Sequence, residues 1–320
     1  MMKTDNTKEW IDEQSATLFC VYKTEFYILE EKIMKAVGYY NGKIGELEEM
    51  MIPMNDRAMY FGDGVYDAAA CANGKIFELE GHMARFLNSV KLLEMPLGRT
   101  KEEVIAELQK CVDAYDSNEP ALVYWQLTRG TGIRNHAFPE DGKPGNLLIF
   151  VKPISMVDLK KKYDLITLED TRFLHCNIKT LNLIPSVMAT QRAKEAGCQE
   201  TVFHRGDMVT ECAHSNVHIL KDGVFHTAPT NNLILPGITR KHLLRLCEEL
   251  GVPYVEEAFT LEDLFDADEI IVSSASCLGV GVANIDGKPV GGKDPELLLK
   301  LQKAAVADFE KETGYKADII

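Results

Sequence analysis

The sequence predicts a mixed α+β and α/β protein of two domains, a small N-terminal α+β domain and a larger, strand-rich domain with a barrel-like shape. The chain has 320 residues, whereas typical domains have roughly 100–150. Hydrophobic residues make up 46% and charged residues 26%, as in ordinary globular proteins. Hairpins and helices alternate in the first half, and strands dominate the second. We expect an N-terminal extension over residues 1–35, the small domain over 36–153 and the larger domain over 154–320.

The small domain is predicted from turn signals and helical periodicity. Asn-Gly pairs between short apolar runs are strong signals for two-residue hairpins. Apolar residues then recur at helical spacing in two segments, and Thr100 with Glu103 forms a capping box ahead of the second. The predicted elements are hairpins at Asn41-Gly42 and Asn73-Gly74, helices from Met83 to Pro96 and from Thr100 to Pro120, and strands over 121–128 and 147–151.

The larger domain is predicted from turns and helix ends. Turn residues separate several short apolar strands, glycine follows two predicted helices, and an Asp-Pro pair opens a third. Residues 153–155 are the predicted linker that precedes this domain. The turns lie at 205–207, 221–223 and 286–287, and the helices end at Gly197, run from Ile238 to Gly251, and begin at Asp294-Pro295.

Charge and composition exclude several classes of function. The net charge of −14 repels nucleic-acid backbones and anionic membranes, so we expect neither as a partner. No segment approaches the ~18 to 20 apolar residues of a membrane span, and the first residues do not resemble a secretion signal. We therefore expect a cytoplasmic protein. Its eight cysteines are scattered singly, which predicts reduced thiols and no metal site.

One lysine stands in an unusual setting. Lys179 lies in the segment Cys176–Asn182, among apolar and small neutral residues. Such surroundings disfavour the charged form of the amine, as a lysine that forms Schiff bases requires. Read alone, the same pattern more often belongs to a lysine whose alkyl stem lies over a strand and whose amine stays in water.

Two further clusters favour anions. The segment Leu235–Thr239 opens a predicted helix, whose free N–H groups attract negative charge. In the loop that contains Arg134 and His136, the two side chains would project similarly from an extended backbone. A planar guanidinium beside an imidazole suits a carboxylate. Read in isolation, the first cluster more often belongs to an ordinary capped helix start, and a basic surface loop explains the second at least as well.

From about Tyr39 to Phe309, the sequence resembles the class IV (fold type IV) pyridoxal-phosphate-dependent aminotransferases, and within them most of all the D-amino acid transaminases. The resemblance is specific because many motifs occur in the same order and at the same spacing. The stretches that carry it are Asp56-Arg57, Tyr60 to Tyr66, His82 with Arg85, Ile178 to Leu183, Val209 to Glu211, Ser215 to Val217, Asn231-Asn232, Leu235, and Gly237 to Thr239.

The resemblance implies roles for the matching residues. Lys179 matches the lysine that forms a Schiff base with pyridoxal 5′-phosphate, and Glu211 matches the acid at the ring nitrogen. Tyr66, Arg134 and His136 match a trap for the substrate carboxylate, in which the arginine and histidine come from the partner subunit of a homodimer. The remaining cofactor contacts are implied for Arg85, Leu235, Gly237, Ile238, Thr239, Ser274 and Ser276.

The activity that the resemblance implies is transamination by a ping-pong mechanism. A D-amino acid such as D-alanine would give its amino group to 2-oxoglutarate, forming a 2-oxo acid and D-glutamate. Lys179 would first bind the cofactor and then move the proton between the substrate Cα and the cofactor.

The sequence departs from the family pattern at several positions. Cys212, Ala213 and His214 stand where small residues usually follow the glutamate. Asp67 replaces a more usual glutamate, and Ala275 replaces a threonine whose hydroxyl helps to hold the phosphate, leaving Ser274 or Ser276 as substitutes. These departures bear on substrate preference more than on cofactor use.

Four alternatives share the scaffold. A branched-chain L-amino acid aminotransferase has the same lysine, glutamate and phosphate site, but it does not need Arg134 and His136 as a pair. An aminodeoxychorismate lyase is disfavoured by the same pair. An (R)-selective amine transaminase stays open because pocket arginines can swing aside. An inactive scaffold that binds the cofactor is disfavoured because Lys179 and Glu211 are both present.

Overall fold

Two hairpins open the first sheet, as the Asn-Gly turns predict. The computed structural model describes residues 36–140 and 142–320, so the predicted extension over 1–35 lies outside the described residues. Asn41 and Asn73 adopt the positive φ values that such turns need. Within the described chain, six strands pair antiparallel in the order β2-β1-β6-β5-β3-β4. They are β1 Val37–Tyr40, β2 Lys43–Glu46, β3 Gly64–Ala72, β4 Lys75–Ile76, β5 Ala121–Thr128 and β6 Asn146–Pro153.

Helices cover this sheet and bury its apolar side chains. Trp125 of β5 and Phe86 of the helix Leu79–Leu92 are fully buried against each other, with ring centroids 6.1 Å apart. The capping box of Thr100 and Glu103 is present, as predicted. The structure adds a short helix that the sequence does not predict, because five residues carry too little periodicity. The helices are α1 Arg57–Phe61, α2 Leu79–Leu92 and α3 Lys101–Tyr115.

The second sheet is larger and mixed. Nine strands in the described chain form it in the order β12-β11-β10-β13-β14-β7-β8-β9, with β15 added beside β14. It curls into a half-barrel, which confirms the predicted barrel-like, strand-rich region and the mixed fold class. Its strands are β7 Tyr163–Glu169, β8 Glu200–Arg205, β9 Met208–Cys212, β10 Asn216–Lys221, β11 Val224–Thr227, β12 Tyr254–Glu256, β13 Glu269–Ser274, β14 Cys277–Ile285 and β15 Lys288–Pro289.

Three helices of this second part begin and end close to their predicted caps. A fourth, six residues long, was not predicted, although Thr260 and Asp263 form a capping box for it. The last helix packs its apolar face, including Leu301 and Phe309, into the buried core beside β14. The helices are α4 Ile184–Glu195, α5 Ile238–Leu250, α6 Leu261–Asp266 and α7 Pro295–Thr313.

The first sheet ends at Pro153 and the second begins at Tyr163. The division into two domains with a linker over residues 153–155 stays a prediction. No helix of the described residues is long and apolar enough to cross a membrane.

Candidate active site

A cavity of about 750 Å³ brings most of the predicted site residues together. Its walls come from the first sheet with α2, from the segment between β7 and α4, and from the start of α5. Predicted site residues that line it are Tyr66, Arg85, Lys179, Glu211, Leu235, Gly237, Ile238, Thr239, Ser274 and Ser276. Arg134 and His136 are not among its lining residues.

The segment that carries Lys179 is fixed by backbone hydrogen bonds to β3. Tyr66 N–H donates to the carbonyl of Lys179 at 2.9 Å, and Leu181 N–H donates to Gly64 at 3.1 Å. The Lys179 N–H donates to the Ser89 hydroxyl of α2 at 3.3 Å. The Lys179 amine then lies over the Tyr66 ring, 4.3 Å from its centroid, so amine and phenol face the same space.

Glu211 is a buried carboxylate with three donors. Arg172 Nη1 donates to Oε1 at 2.5 Å, while Asn216 Nδ2 and Leu235 N–H donate to Oε2 at 2.9 and 3.0 Å. Burial raises the pKa of Glu211 to about 7, although the charge and hydrogen bond of Arg172 oppose the increase. The three donors hold this carboxyl in place at the cavity wall.

The start of α5 forms the other end of the cavity. Gly237 is the N-cap, and a Cβ at this position would overlap Asn216 Oδ1. Because no side chain caps this helix, its first N–H groups stay available to an anion. Thr239 Oγ1 donates to the Ser274 carbonyl at 2.9 Å, which holds the 274–276 turn beside the helix start.

Arg85 reaches this region from α2 and is oriented by Asp67. Its Nε and Nη2 donate to the two Asp67 oxygens at 2.9 and 2.6 Å, and its Nη1 donates to the Pro236 carbonyl at 3.3 Å. Burial alone would raise the pKa of Asp67, but Arg85 and His82 hold it well below its usual range. Asp67, which replaces the more usual and longer glutamate, thus serves as a buried counter-ion for Arg85.

Arg134 and His136 lie on an exposed loop outside the cavity. The segment bends at residues 133–134 and 136–137, so the extended conformation that would have aligned their side chains is absent from the described chain. Both pack against Phe61, at 5.2 Å for the Arg134 guanidinium and 5.0 Å between ring centroids for His136. The structure therefore does not bring them to Tyr66 of the same chain.

Arg172 and His214 line the cavity without having been predicted as site residues. Arg172 donates from Nε and Nη2 to both oxygens of Asp170 at 2.9 Å, besides its bond to Glu211. Asp170 and Arg172 stand a few residues before the segment that contains Lys179, and this acidic and basic pair could have identified Arg172 from the sequence. His214 stood out only as a departure from the family pattern.

The residues in this cavity fit pyridoxal 5′-phosphate. Lys179 offers an amine for covalent attachment, and Glu211 offers a buried, firmly held carboxyl for the ring nitrogen. Arg85 and the uncapped start of α5 could hold the phosphate, because a guanidinium and free helix N–H groups both favour anions. All four groups face one cavity.

Comparisons with known proteins agree with this fit. The family model for class IV amino-transferases matches residues 64–285. A D-alanine aminotransferase from Staphylococcus haemolyticus is 38% identical over 268 residues, which are 83% of this chain and 95% of that protein. One from Bacillus licheniformis is 36% identical over 83% of this chain and 94% of that protein.

Solved structures share the fold at lower identity. The branched-chain amino acid aminotransferase of Escherichia coli has a TM-score of 0.78 and 23% identity, covering 89% of this chain and 96% of that one. A fold IV transaminase from Curtobacterium pusillum has a TM-score of 0.74 and 20% identity, covering 85% and 99%. By the family match and the identity to its relatives, this chain belongs to the class IV aminotransferases, which use pyridoxal 5′-phosphate.

Proposed function

We propose that this aminotransferase transfers the amino group of a D-amino acid, such as D-alanine, to a 2-oxo acid such as 2-oxoglutarate. The observation that supports it most is the joint placement of Lys179, Glu211, Arg85 and the start of α5 around one cavity. The curated relatives, which are D-alanine aminotransferases at 36–39% identity, support the handedness.

In this proposal Lys179 and Glu211 carry the chemistry. When bound, pyridoxal 5′-phosphate supplies an electron sink for the bonds at the substrate Cα. Lys179 binds it covalently and later takes the proton from the substrate Cα. Glu211 would hold the ring nitrogen through its buried carboxyl. Arg172 holds this carboxyl in place through Oε1.

Arg85 and the start of α5 bind the phosphate in this proposal. Gly237, Ile238 and Thr239 provide the helix N–H groups, and Ser274 and Ser276 add hydroxyls in place of the missing threonine at Ala275. Leu235 packs against the ring. All of these residues line the cavity.

The carboxylate of the substrate is bound by Tyr66 together with Arg134 and His136 of a second copy of the chain. This requires a homodimer with its active sites at the subunit interface. Two observations support it: both side chains are exposed, and they lie outside the cavity of their own chain. A cytoplasmic location likewise stays a prediction.

The proposed function is tested by incubating the purified holoenzyme with panels of D- and L-amino acids and 2-oxoglutarate. Chiral separation of the products should show D-glutamate formed from D-alanine, and at most traces from L-alanine or L-leucine. Formation of L-glutamate from L-leucine would return the branched-chain alternative to first place. Release of pyruvate from aminodeoxychorismate without an acceptor would instead indicate a lyase.

A further inference from the structure

His214 stands at the cavity wall on a buried carboxylate. It lies in the turn between β9 and β10, three residues after Glu211. Its Nδ1 is 2.9 Å from Glu200 Oε2. Glu200 is fully buried, and Ser215 Oγ and the Thr201 N–H also donate to it, at 3.0 and 2.9 Å. The His214 side chain keeps 56% of its surface exposed. Glu200 therefore holds the ring at Nδ1, and the rest of the side chain stays accessible.

His214 lines the cavity, and its two ring nitrogens have different surroundings. Nδ1 contacts Glu200 and Ser215, whereas Nε2 has no hydrogen-bond partner among residues 36–140 and 142–320. The enclosure of the ring lowers the pKa of His214, but the hydrogen bond and the charge of Glu200 outweigh this effect and raise it above the ordinary value. A protonated imidazole presents Nε2–H as a charge-assisted donor.

The imidazole of His214 and the amine of Lys179 share one cavity, which suits a substrate that carries a second anionic group. The Lys179 amine lies 4.3 Å from the Tyr66 ring and is also near enough to His214 for its charge to oppose protonation of the imidazole. Tyr66, Lys179 and His214 all line the same cavity. Two further polar side chains of α4, Gln191 and Lys194, line the same cavity.

We propose that His214 is a specificity-determining residue that binds the second carboxylate of dicarboxylic substrates. The ligand class is a dicarboxylic 2-oxo acid or its amino acid. Its first carboxylate faces Tyr66, its reacting carbon faces Lys179, and its side-chain carboxylate accepts from His214 Nε2. Glu200 is a positioning residue that holds the imidazole through Nδ1. This inference rests on the proposed function, because it assumes that amino acids and 2-oxo acids react at Lys179.

The test compares 2-oxoglutarate with pyruvate as amino acceptors for D-alanine or another common donor. Glutamine replaces the imidazole with an uncharged amide in His214→Gln. The ratio of kcat/KM for 2-oxoglutarate to that for pyruvate should fall about ten- to a hundredfold, which is the range for loss of one charge-assisted hydrogen bond. The fall should appear mainly as a higher KM for 2-oxoglutarate.

Calorimetric titration of the holoenzyme with glutarate and with butyrate gives a readout that does not depend on turnover. His214→Gln should weaken glutarate binding by a similar factor relative to butyrate. The matched control is His204→Gln, because His204 also faces a glutamate, Glu169 at 3.5 Å, but does not line the cavity. His204→Gln should leave two ratios unchanged: that of kcat/KM for 2-oxoglutarate and pyruvate, and that of the affinities for glutarate and butyrate.

An unchanged ratio in His214→Gln, for acceptors and for inhibitors alike, would overturn the inference and make His214 a structural part of the β9–β10 turn. The proposed function would survive that result as long as the wild-type enzyme forms D-glutamate from D-alanine. Conversely, a wild-type enzyme that transfers amino groups only from L-amino acids would contradict the proposed function, while the acceptor ratio of His214→Gln would still decide the role of His214.

Discussion

At the scale of residues, three cationic side chains at the cavity wall are each backed by a buried carboxylate. Asp67 holds Arg85, Asp170 holds Arg172, and Glu200 holds His214. A long cationic side chain has many rotamers in water, and a fixed counter-ion behind it removes that freedom before an anion binds. The acidic protein thus presents three oriented cations to anionic ligands, because Asp67, Asp170 and Glu200 are buried and do not themselves line the cavity.

The test of covalent chemistry at this scale is Lys179→Ala. We expect transamination to fall by several orders of magnitude, because the change removes both the covalent attachment and the base. Borohydride treatment of the wild-type holoenzyme, followed by peptide mass analysis, should place the reduced cofactor on residue 179. Lys179→Arg should also fail, since a guanidinium stays protonated.

The matched control is Lys91→Ala, an exposed lysine on α2, which should keep the wild-type rate and labelling. Transamination by Lys179→Ala near the wild-type rate, or a reduced cofactor attached at another lysine, would contradict the assignment.

At the scale of elements, Arg57 connects α1 to the loop that carries Arg134 and His136. Its Nη1 donates to the carbonyls of Asn135 and Ala137 at 2.6 and 3.2 Å, and its Nη2 donates to that of His136 at 3.4 Å. Arg57 is itself buried and paired with Asp63 at 2.8 Å. The Arg57 side chain thus shapes the loop by binding the loop's backbone carbonyls. The side chains of Arg134 and His136 are not used in these contacts and stay exposed.

Because of these contacts, Arg57→Met should impair the binding of substrate carboxylates although Arg57 does not line the cavity. We expect kcat/KM for D-alanine to fall about tenfold or more, comparable to the effect of Arg134→Met. A primary amine without a carboxylate should lose much less. The comparison of the two substrates in steady-state assays separates loop positioning from general damage.

Arg99→Met is the control for this prediction, since Arg99 also binds backbone carbonyls, those of Leu97 and Gly145, but away from this loop. It should affect both substrates equally and weakly. An equal loss on amine and amino acid in Arg57→Met would assign Arg57 a role in stability alone.

These elements also mark where sequence reasoning succeeds and where it stops. Asn-Gly turns and the capping box at Thr100 are local chemistry, so the hairpins and helix α3 could be predicted from them. Helices α1 and α6 are too short for a periodic pattern. The loop over residues 133–138 takes its shape from hydrogen bonds to Arg57, 78 to 80 positions earlier in the sequence, and no local pattern reports such contacts.

At the scale of the whole molecule, motif order predicted which residues share the cavity, because Lys179, Glu211 and the start of α5 belong to a pattern of fixed spacing. Arg172 was missed because its role depends on reaching Glu211, 39 positions later. Arg134 and His136 pose a different problem. In the proposed homodimer their place relative to Tyr66 depends on two chains, so neither the sequence nor one folded chain determines it.

The proposed homodimer predicts that two impaired variants restore each other's activity. Lys179→Ala lacks the lysine but keeps Arg134, whereas Arg134→Met keeps the lysine and lacks the arginine. If Arg134 acts across the interface, a mixed dimer contains one site with a wild-type Lys179 and a wild-type Arg134 from the other subunit. After subunit exchange, mixed dimers form about half of the population, so D-alanine turnover should recover to about a quarter of the wild-type value.

Each variant incubated alone under the same conditions is the control, and both should stay at their low starting rates. The amount of recovery shows whether Arg134 acts across the interface or within its own chain. If it acts across the interface, each mixed dimer has two sites, and only the one on the Arg134→Met subunit is complete. If Arg134 instead served the cavity of its own chain, neither site of the mixed dimer would hold both residues. No recovery in a mixture that size exclusion and mass analysis show to have exchanged subunits would therefore place the carboxylate site within one chain, and would require the loop over residues 133–138 to move towards Tyr66.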